Sequence, residues 1–248
     1  MMINEALDHL GLKLIKSEKI PANVYERLIH IKRLGFDPKV IFDCGAFVGK
    51  WTLRVSQIFP KAFFVLIEPN ENIINRTKAT VESIHSRNLV LTVAVGEKIG
   101  KRYLNIWEDP NLKKPIVSLE GASLLSHVRG KPTSRISVKI KTIDSIASSY
   151  NLTPDLIKLD LQGNEIAALI GAKSLFGRTE VFIIEFGCLD AYINRTTPRD
   201  LITIMYDNNY CLYDIVDLIY RPYDKALAGG DFFFIKKNSL LRNHLDFF

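Results

Sequence analysis

From residue 39 onward, short apolar runs alternate with segments whose apolar positions recur every three or four residues. The runs at 40–43, 63–67, 89–95, 156–160 and 181–185 are nearly continuous in Val, Ile, Leu and Phe, as expected for strands buried on both faces. Helical spacing predicts helices at 49–58, 70–86, 164–175 and 197–208. Such alternation implies an α/β fold, a mostly parallel sheet with helices on both faces. Two last runs, 210–216 and 232–236, have only the loop 217–231 between them. A loop of that length allows an antiparallel pair, whereas a parallel pair needs a long crossover. The seven runs together predict a seven-stranded sheet with an antiparallel terminal strand.

Two regions depart from the alternation. Leu7, Leu10 and Leu14, then Leu28, Ile31 and Leu34 after Pro21, predict helical packing over the sheet edge within residues 5–35. Residues 101–140 interrupt the pattern with strand-like runs at 103–107 and 135–141 around a polar loop, 108–134. A loop that long inside a compact domain is usually functional, so it reads as a substrate-side insertion or lid. The expected organisation is an N-terminal helical segment (1–36), a core domain (37–238) and a C-terminal tail (239–248).

The chain has 248 residues, 47% hydrophobic and 24% charged, which suits one well-cored soluble domain. No apolar run approaches the length of a membrane span, and the early acids Glu5 and Asp8 do not suit a secretory signal. Cys44, Cys188 and Cys211 are odd in number and widely spaced, which suggests a reducing, cytoplasmic setting and no disulfide framework or zinc site. Cys44 and Cys211 lie in strand-like runs and read as small core residues. The net charge of +6 reads as dispersed over a solvated surface, without the interleaved basic and aromatic run of a nucleic-acid binder.

Residues 40–51 carry the most chemistry. An apolar run ends in Asp43, followed by Gly45, Ala46 and Gly49 and then a helical segment. The next run ends in Glu68-Pro69. Strand, glycine turn, helix, strand and acid is the layout of a nucleotide-type cofactor site on an open α/β sheet. Gly45-x-x-x-Gly49 is not the dinucleotide fingerprint, and Trp51 replaces the hydroxyl residue that a phosphate loop needs for magnesium. With the antiparallel terminal pair, the form points to S-adenosylmethionine and a Rossmann-like class I methyltransferase fold. Asp43 can reach the ammonium, helix-start amides the carboxylate, and Glu68 the ribose hydroxyls.

The match extends along most of the chain. Residues 35–46 (GFDPKVIFDCGA) resemble the opening of the FkbM family of methyltransferases. Residues 93–96 (VAVG) look like its third-strand block, and 142–146 (TIDSI) resemble its T-hydrophobic-D segment. The block 156–165 (LIKLDLQGNE), then 169–172 (LIGA), resembles the family's K-I-D-x-E/Q-G-x-E…L-x-G-A signature. Residues 181–185 and 230–236 are similar to its later strands. The similarity covers roughly residues 30–238, with Gln162 where many members carry Glu, and Phe47 where many are polar. The resemblance implies transfer of a methyl group to a hydroxyl, often on a sugar, glycolipid or natural product. The expected cofactor contacts are Asp43, Gly45, Ala46, Gly49, Glu68, Pro69 and Val95.

In-line methyl transfer needs acceptor oxygen, methyl and sulfur aligned, water excluded, and a base near the hydroxyl. Asp160, closing its strand beside the switch point, is the first candidate; its structural alternative is capping the helix near Asn164. Lys158 lies on the same strand face and would pair with Asp160 or Glu185 if buried. Glu185 faces the same rim as an acceptor ligand. Glu165 suits a helix N-terminus on dipole grounds alone. His127 would serve as a base only from a lid. No spacing makes a metal triad, and a divalent metal at Asp160 has no independent support. The expected partner is a small-molecule or glycan acceptor, with specificity set by residues 101–140 and 187–197. The competing readings are a non-catalytic binding module that keeps the fold, and an NAD-dependent enzyme.

Overall fold

A computed structural model describes residues 20–106, 122–126, 131–190 and 192–243. The helical reading of 5–19, with Leu7, Leu10 and Leu14, lies outside these residues. So do Trp107, most of the 108–134 loop with His127, and the end of the tail.

The elements run in the order α1 (Val24–Arg33), β1 (Val40–Cys44), α2 (Lys50–Ile58), β2 (Phe63–Ile67), α3 (Glu71–Glu82), β3 (Asn88–Leu91), β4 (Ala94–Val95), β5 (Gly100–Ile106) and β6 (Ser134–Lys141). There follow α4 (Ile143–Ser149), β7 (Leu156–Leu159), α5 (Glu165–Ile170), β8 (Val181–Gly187), α6 (Pro198–Asp207), β9 (Tyr210–Tyr220) and β10 (Leu227–Lys236). Seven strands form one sheet in the order β3-β2-β1-β7-β8-β10-β9. Strand β10 runs antiparallel to both neighbours, and the other pairs are parallel. The terminal strand is therefore antiparallel as predicted, and it lies inside the sheet with β9 at the edge.

The buried strands explain the continuous apolar runs. Phe42, Val65, Ile157, Phe182 and Phe234 fill one face; Ile41, Phe64, Leu156, Ile183 and Phe233 fill the other. Helix ends carry the side chains expected to stop them fraying. Asn23 and Asn70 accept from Glu26 N and Asn72 N, while Thr197 and Asp200 form a reciprocal capping box with Pro198 in the first turn.

Several expectations need correction. The run 89–95 is two strands in two sheets: β3 joins the large sheet, and β4 joins a small sheet of order β4-β6-β5. A continuous apolar run does not reveal which neighbour each half pairs with. Residues 143–149, read only as part of a motif, form a helix capped by Thr142, whose hydroxyl accepts from Ser145 N. The loop read at 217–231 shrinks to 221–226 because β9 and β10 continue as a long hairpin. Helix 164–175 ends at Ile170 and resumes as a single 3-10 turn at Lys173–Leu175. In the N-terminal region, Leu28 and Ile31 are buried as expected, but Leu34 is exposed at the helix end. Helix α1 is fastened to the edge strand by Asp217, whose carboxylate accepts from Val24 N, and by the Arg27–Asp214 ion pair.

Candidate active site

The carboxyl ends of β1, β2, β7 and β8 surround a cavity of about 310 Å³. Strands β1 and β7 are adjacent although widely separated in sequence, so the cavity lies at the switch point where ligands enter open α/β sheets.

Gly45 begins the turn after β1 with φ +84°. A Cβ there would stand 1.9 Å from the Asp160 carbonyl oxygen, so only glycine lets the β1 turn close on the end of β7. The Gly45 and Ala46 amides both donate to the Ile67 carbonyl, tying the turn to β2. Ala46 is buried in the core, and Gly49 forms the left-handed start of α2. Neither lines the cavity. Gly45, Glu68, Pro69 and Val95 do line it, together with Phe47, Val93 and Asn164, which sequence reasoning did not single out as contacts. Phe47 has φ +48°, its amide donates to Glu68, and its carbonyl accepts from Thr77. Its place after a glycine turn was the available signal.

Glu68 is 6% exposed and accepts from Phe47 N at 2.9 Å and Asn70 N at 2.8 Å. Burial pushes its carboxyl up to about 7 against these two amides. Asp43 lies fully buried under the turn. Its Oδ2 accepts from the Thr52 hydroxyl at 2.6 Å, and its Oδ1 has no partner. Burial raises this carboxyl too, opposed by the Lys158 ammonium.

On the β7–β8 side, Lys158 Nζ donates to Asp160 Oδ2 at 2.8 Å and sits over the Trp51 ring. The predicted pair is therefore present, and a Lys in a buried strand is explained by its partner. Gln162 Nε2 donates to Asp160 Oδ1 at 3.1 Å and reaches both Glu185 oxygens at 3.1 and 3.3 Å. Gln162 holds φ +53°, an uncommon conformation for a non-glycine residue, and its carbonyl accepts from the Ser123 hydroxyl. Burial pushes the Asp160 carboxyl up, but Lys158 and the surrounding hydrogen bonds outweigh it and leave the group below the ordinary aspartate value. Glu185 moves the other way: burial, then the neighbouring Asp160 and Glu165 charges, hold it well above the ordinary glutamate value. Two carboxyls pushed apart by their surroundings suit opposite roles in proton handling.

Glu165 is buried, and its Oε1 accepts from Leu161 N and Gly163 N. It braces the turn and does not line the cavity. The two segments expected to set specificity converge here. Ala122, Ser123 and Leu124 line the cavity, and Thr196 N and Oγ1 both donate to the Gly163 carbonyl. Among the described residues, no three His, Cys, Asp or Glu side chains are arranged to hold a metal ion.

A family model described as "Methyltransferase FkbM domain" matches residues 43–213, more than half of the chain. The chain belongs to the FkbM methyltransferase family. It is accordingly an S-adenosylmethionine-dependent methyltransferase. No curated protein matches the sequence. Among solved structures, an rRNA methylase from Streptococcus thermophilus is 8% identical, with 88% of this chain and 99% of that one covered and a TM-score of 0.48. Precorrin-6y C5,15-methyltransferase from Geobacter metallireducens is 11% identical, covering 90% and 93%, with a TM-score of 0.46. The 1,6-didemethyltoxoflavin-N1-methyltransferase from Burkholderia thailandensis is 13% identical, covering 94% and 85%, with a TM-score of 0.44; its structure holds S-adenosylhomocysteine. At such identities and TM-scores, these likenesses say nothing of this FkbM methyltransferase's acceptor.

Proposed function

We propose that this methyltransferase modifies a hydroxyl oxygen on a saccharide, glycolipid or related natural product. The carrying observation is the constellation of Asp160, Gln162 and Glu185 on the wall of the cavity that Glu68 also lines, with Lys158 paired to Asp160 from outside the lining. It offers hydrogen-bond acceptors to a neutral hydroxyl.

The residues present fit the cofactor. Asp43 Oδ1, buried beneath the turn and outside the cavity lining, is a carboxylate oxygen without a partner, which suits reaching an ammonium through water. Glu68 stands on the wall with acceptor capacity left for a ribose diol. Gly45 brings backbone close to the cavity, with Ala46 and Gly49 shaping the turn behind it, and Pro69 and Val95 giving apolar walls. When bound, S-adenosylmethionine supplies a methyl group on a sulfonium with a good leaving group. Asp160, ionised at neutral pH beside Lys158, accepts from the acceptor hydroxyl and fixes its direction. Glu185, in its ionised form, takes up the released proton. Lys158 holds Asp160 in place, and Gln162 keeps the two carboxyls facing the cavity. The soluble, cytoplasmic setting expected from the cysteines fits an acceptor made inside the cell.

The test is calorimetric titration of S-adenosylmethionine and S-adenosylhomocysteine into the wild type and Glu68→Ala, followed by an acceptor screen starting with sugars. One-site binding weakened about tenfold or more by the substitution is expected, from loss of charge-assisted hydrogen bonds. Absent binding by the folded wild type would favour the non-catalytic module. Methylation confined to nitrogen acceptors would overturn the hydroxyl reading.

A further inference from the structure

The net charge is not dispersed. Residues 94–141 carry ten Lys or Arg and four Asp or Glu, so this fifth of the chain holds the whole +6 excess and the remainder is balanced. Among the described residues of this stretch, Lys101, Arg102, Arg135, Lys139 and Lys141 lie in strands of the small sheet. Its inner side presents Leu104, Val138 and Ile140 to a small core, and Leu104 also lines the cavity. Strand alternation sends Lys101 and Tyr103 of β5, and Arg135, Ser137 and Lys139 of β6, to the outer side. Lys101 and Lys139 stand directly opposite each other, both exposed. Like charges in that arrangement destabilise a strand pair, and among the described residues neither has an acidic partner. Lys98, at the turn entering β5, has an 85% exposed side chain and a loose ion pair with Glu97 at 3.6 Å.

Apolar groups stand among the cations. Ile99 is 70% exposed at that turn and Tyr103 is 64% exposed on the outer face. A nucleic-acid surface gains from stacked aromatics but not from an exposed aliphatic tip. A lipid surface uses both: cations meet anionic headgroups, an aliphatic chain enters the acyl boundary, and tyrosine sits at headgroup depth.

We propose that the outer face of the small sheet docks this methyltransferase on an anionic lipid bilayer. Lys98, Lys101, Arg135 and Lys139 meet the headgroups, and Ile99 and Tyr103 seat at the interface. The inner face of the same sheet walls the cavity, so docking brings the bilayer surface beside the cavity. No helix among the described residues is long and apolar enough to cross a membrane, so attachment through this face is peripheral and reversible.

The test is co-sedimentation of the full chain with phosphatidylcholine vesicles, with and without phosphatidylserine, at low and high salt. Binding to the anionic vesicles alone, released by salt, is expected. Lys101→Ser with Lys139→Ser should weaken it about thirtyfold, the effect of removing two surface cations. The same pair should leave the melting temperature unchanged or higher, because it relieves a like-charge contact. Ile99→Asn, which alters no charge, should weaken vesicle binding severalfold. Failure to bind anionic vesicles, or equal binding to neutral ones, would overturn the proposal. So would tight oligonucleotide binding with Ile99→Asn silent toward vesicles, which would assign the face to nucleic acid. S-adenosylmethionine titration of the same variants separates this outcome from failure of the proposed chemistry, since these positions lie off the cavity.

Discussion

One wall of the cavity is built from backbone, the other from side chains. On the first, the Gly45 turn, the Ile67 carbonyl and the Phe47 and Asn70 amides fix Glu68. Each contact there joins residues close in sequence or on neighbouring parallel strands. On the second, Lys158, Asp160, Gln162 and Glu185 hold one another across β7 and β8, and segments around Ser123 and Thr196 clasp the Gln162–Gly163 turn. A backbone-built wall tolerates changes of side chain that keep the turn. A side-chain network fails as a unit when one charge is removed.

The largest test asks whether the walls are independent. Gly45→Ala puts a methyl into the Asp160 carbonyl at a left-handed φ, so it should lower stability by about 4 kcal/mol or more, read by urea unfolding. Near-normal stability would mean that the two walls do not rely on this approach.

Removing the central cation comes next. Lys158→Met leaves Asp160 and the buried Asp43 without their compensating charge and should cost about 3–5 kcal/mol. Adding Asp160→Asn should recover part of it. A single variant as stable as wild type would show that the network is not coupled through Lys158.

Glu165 probes the brace beneath that wall. Its carboxyl is raised from 4.5 to about 7 by burial, so the folded state holds the proton more tightly than the unfolded chain. Its stabilising contribution is present below pH 4.5 and is lost as pH rises through 7, by roughly 3 kcal/mol. Glu165→Gln keeps an Oε1 acceptor for Leu161 N and Gly163 N but has no proton to lose. Thermal melts from pH 4.5 to 8 should show the variant gaining on the wild type; parallel curves would refute the burial argument.

The smallest effect is expected on the backbone-built wall. Thr52→Val removes the hydrogen bond that Asp43 Oδ2 accepts and should cost about 1–2 kcal/mol in urea unfolding. S-adenosylmethionine affinity should change little if Oδ1, not Oδ2, meets the ligand. A large loss of affinity would mean that Thr52 orients the carboxylate for binding.

Much of this was readable in advance, for identifiable reasons. Strands buried on both faces announce themselves as apolar runs, so β1, β2, β7 and β8 fall where the runs do. Gly45, Glu68 and Asp160 were legible because strand ends, turns and acids recur at short spacing. The Lys158–Asp160 pair was legible because strand residues two apart share a face. Tertiary packing decided the rest. Nothing local splits residues 88–95 between two sheets, because pairing partners lie far along the chain. Nothing local says that Ala46 and Gly49 turn away from the cavity, that Glu165 braces a turn, or that Glu185 shares Gln162 with Asp160. The charge excess was countable in residues 94–141, but only strand pairing placed Lys101 opposite Lys139 on one exposed face. Sequence sets periodicity and local turn chemistry; burial, and with it the acidity of each carboxyl, depends on neighbours that only the folded chain brings together.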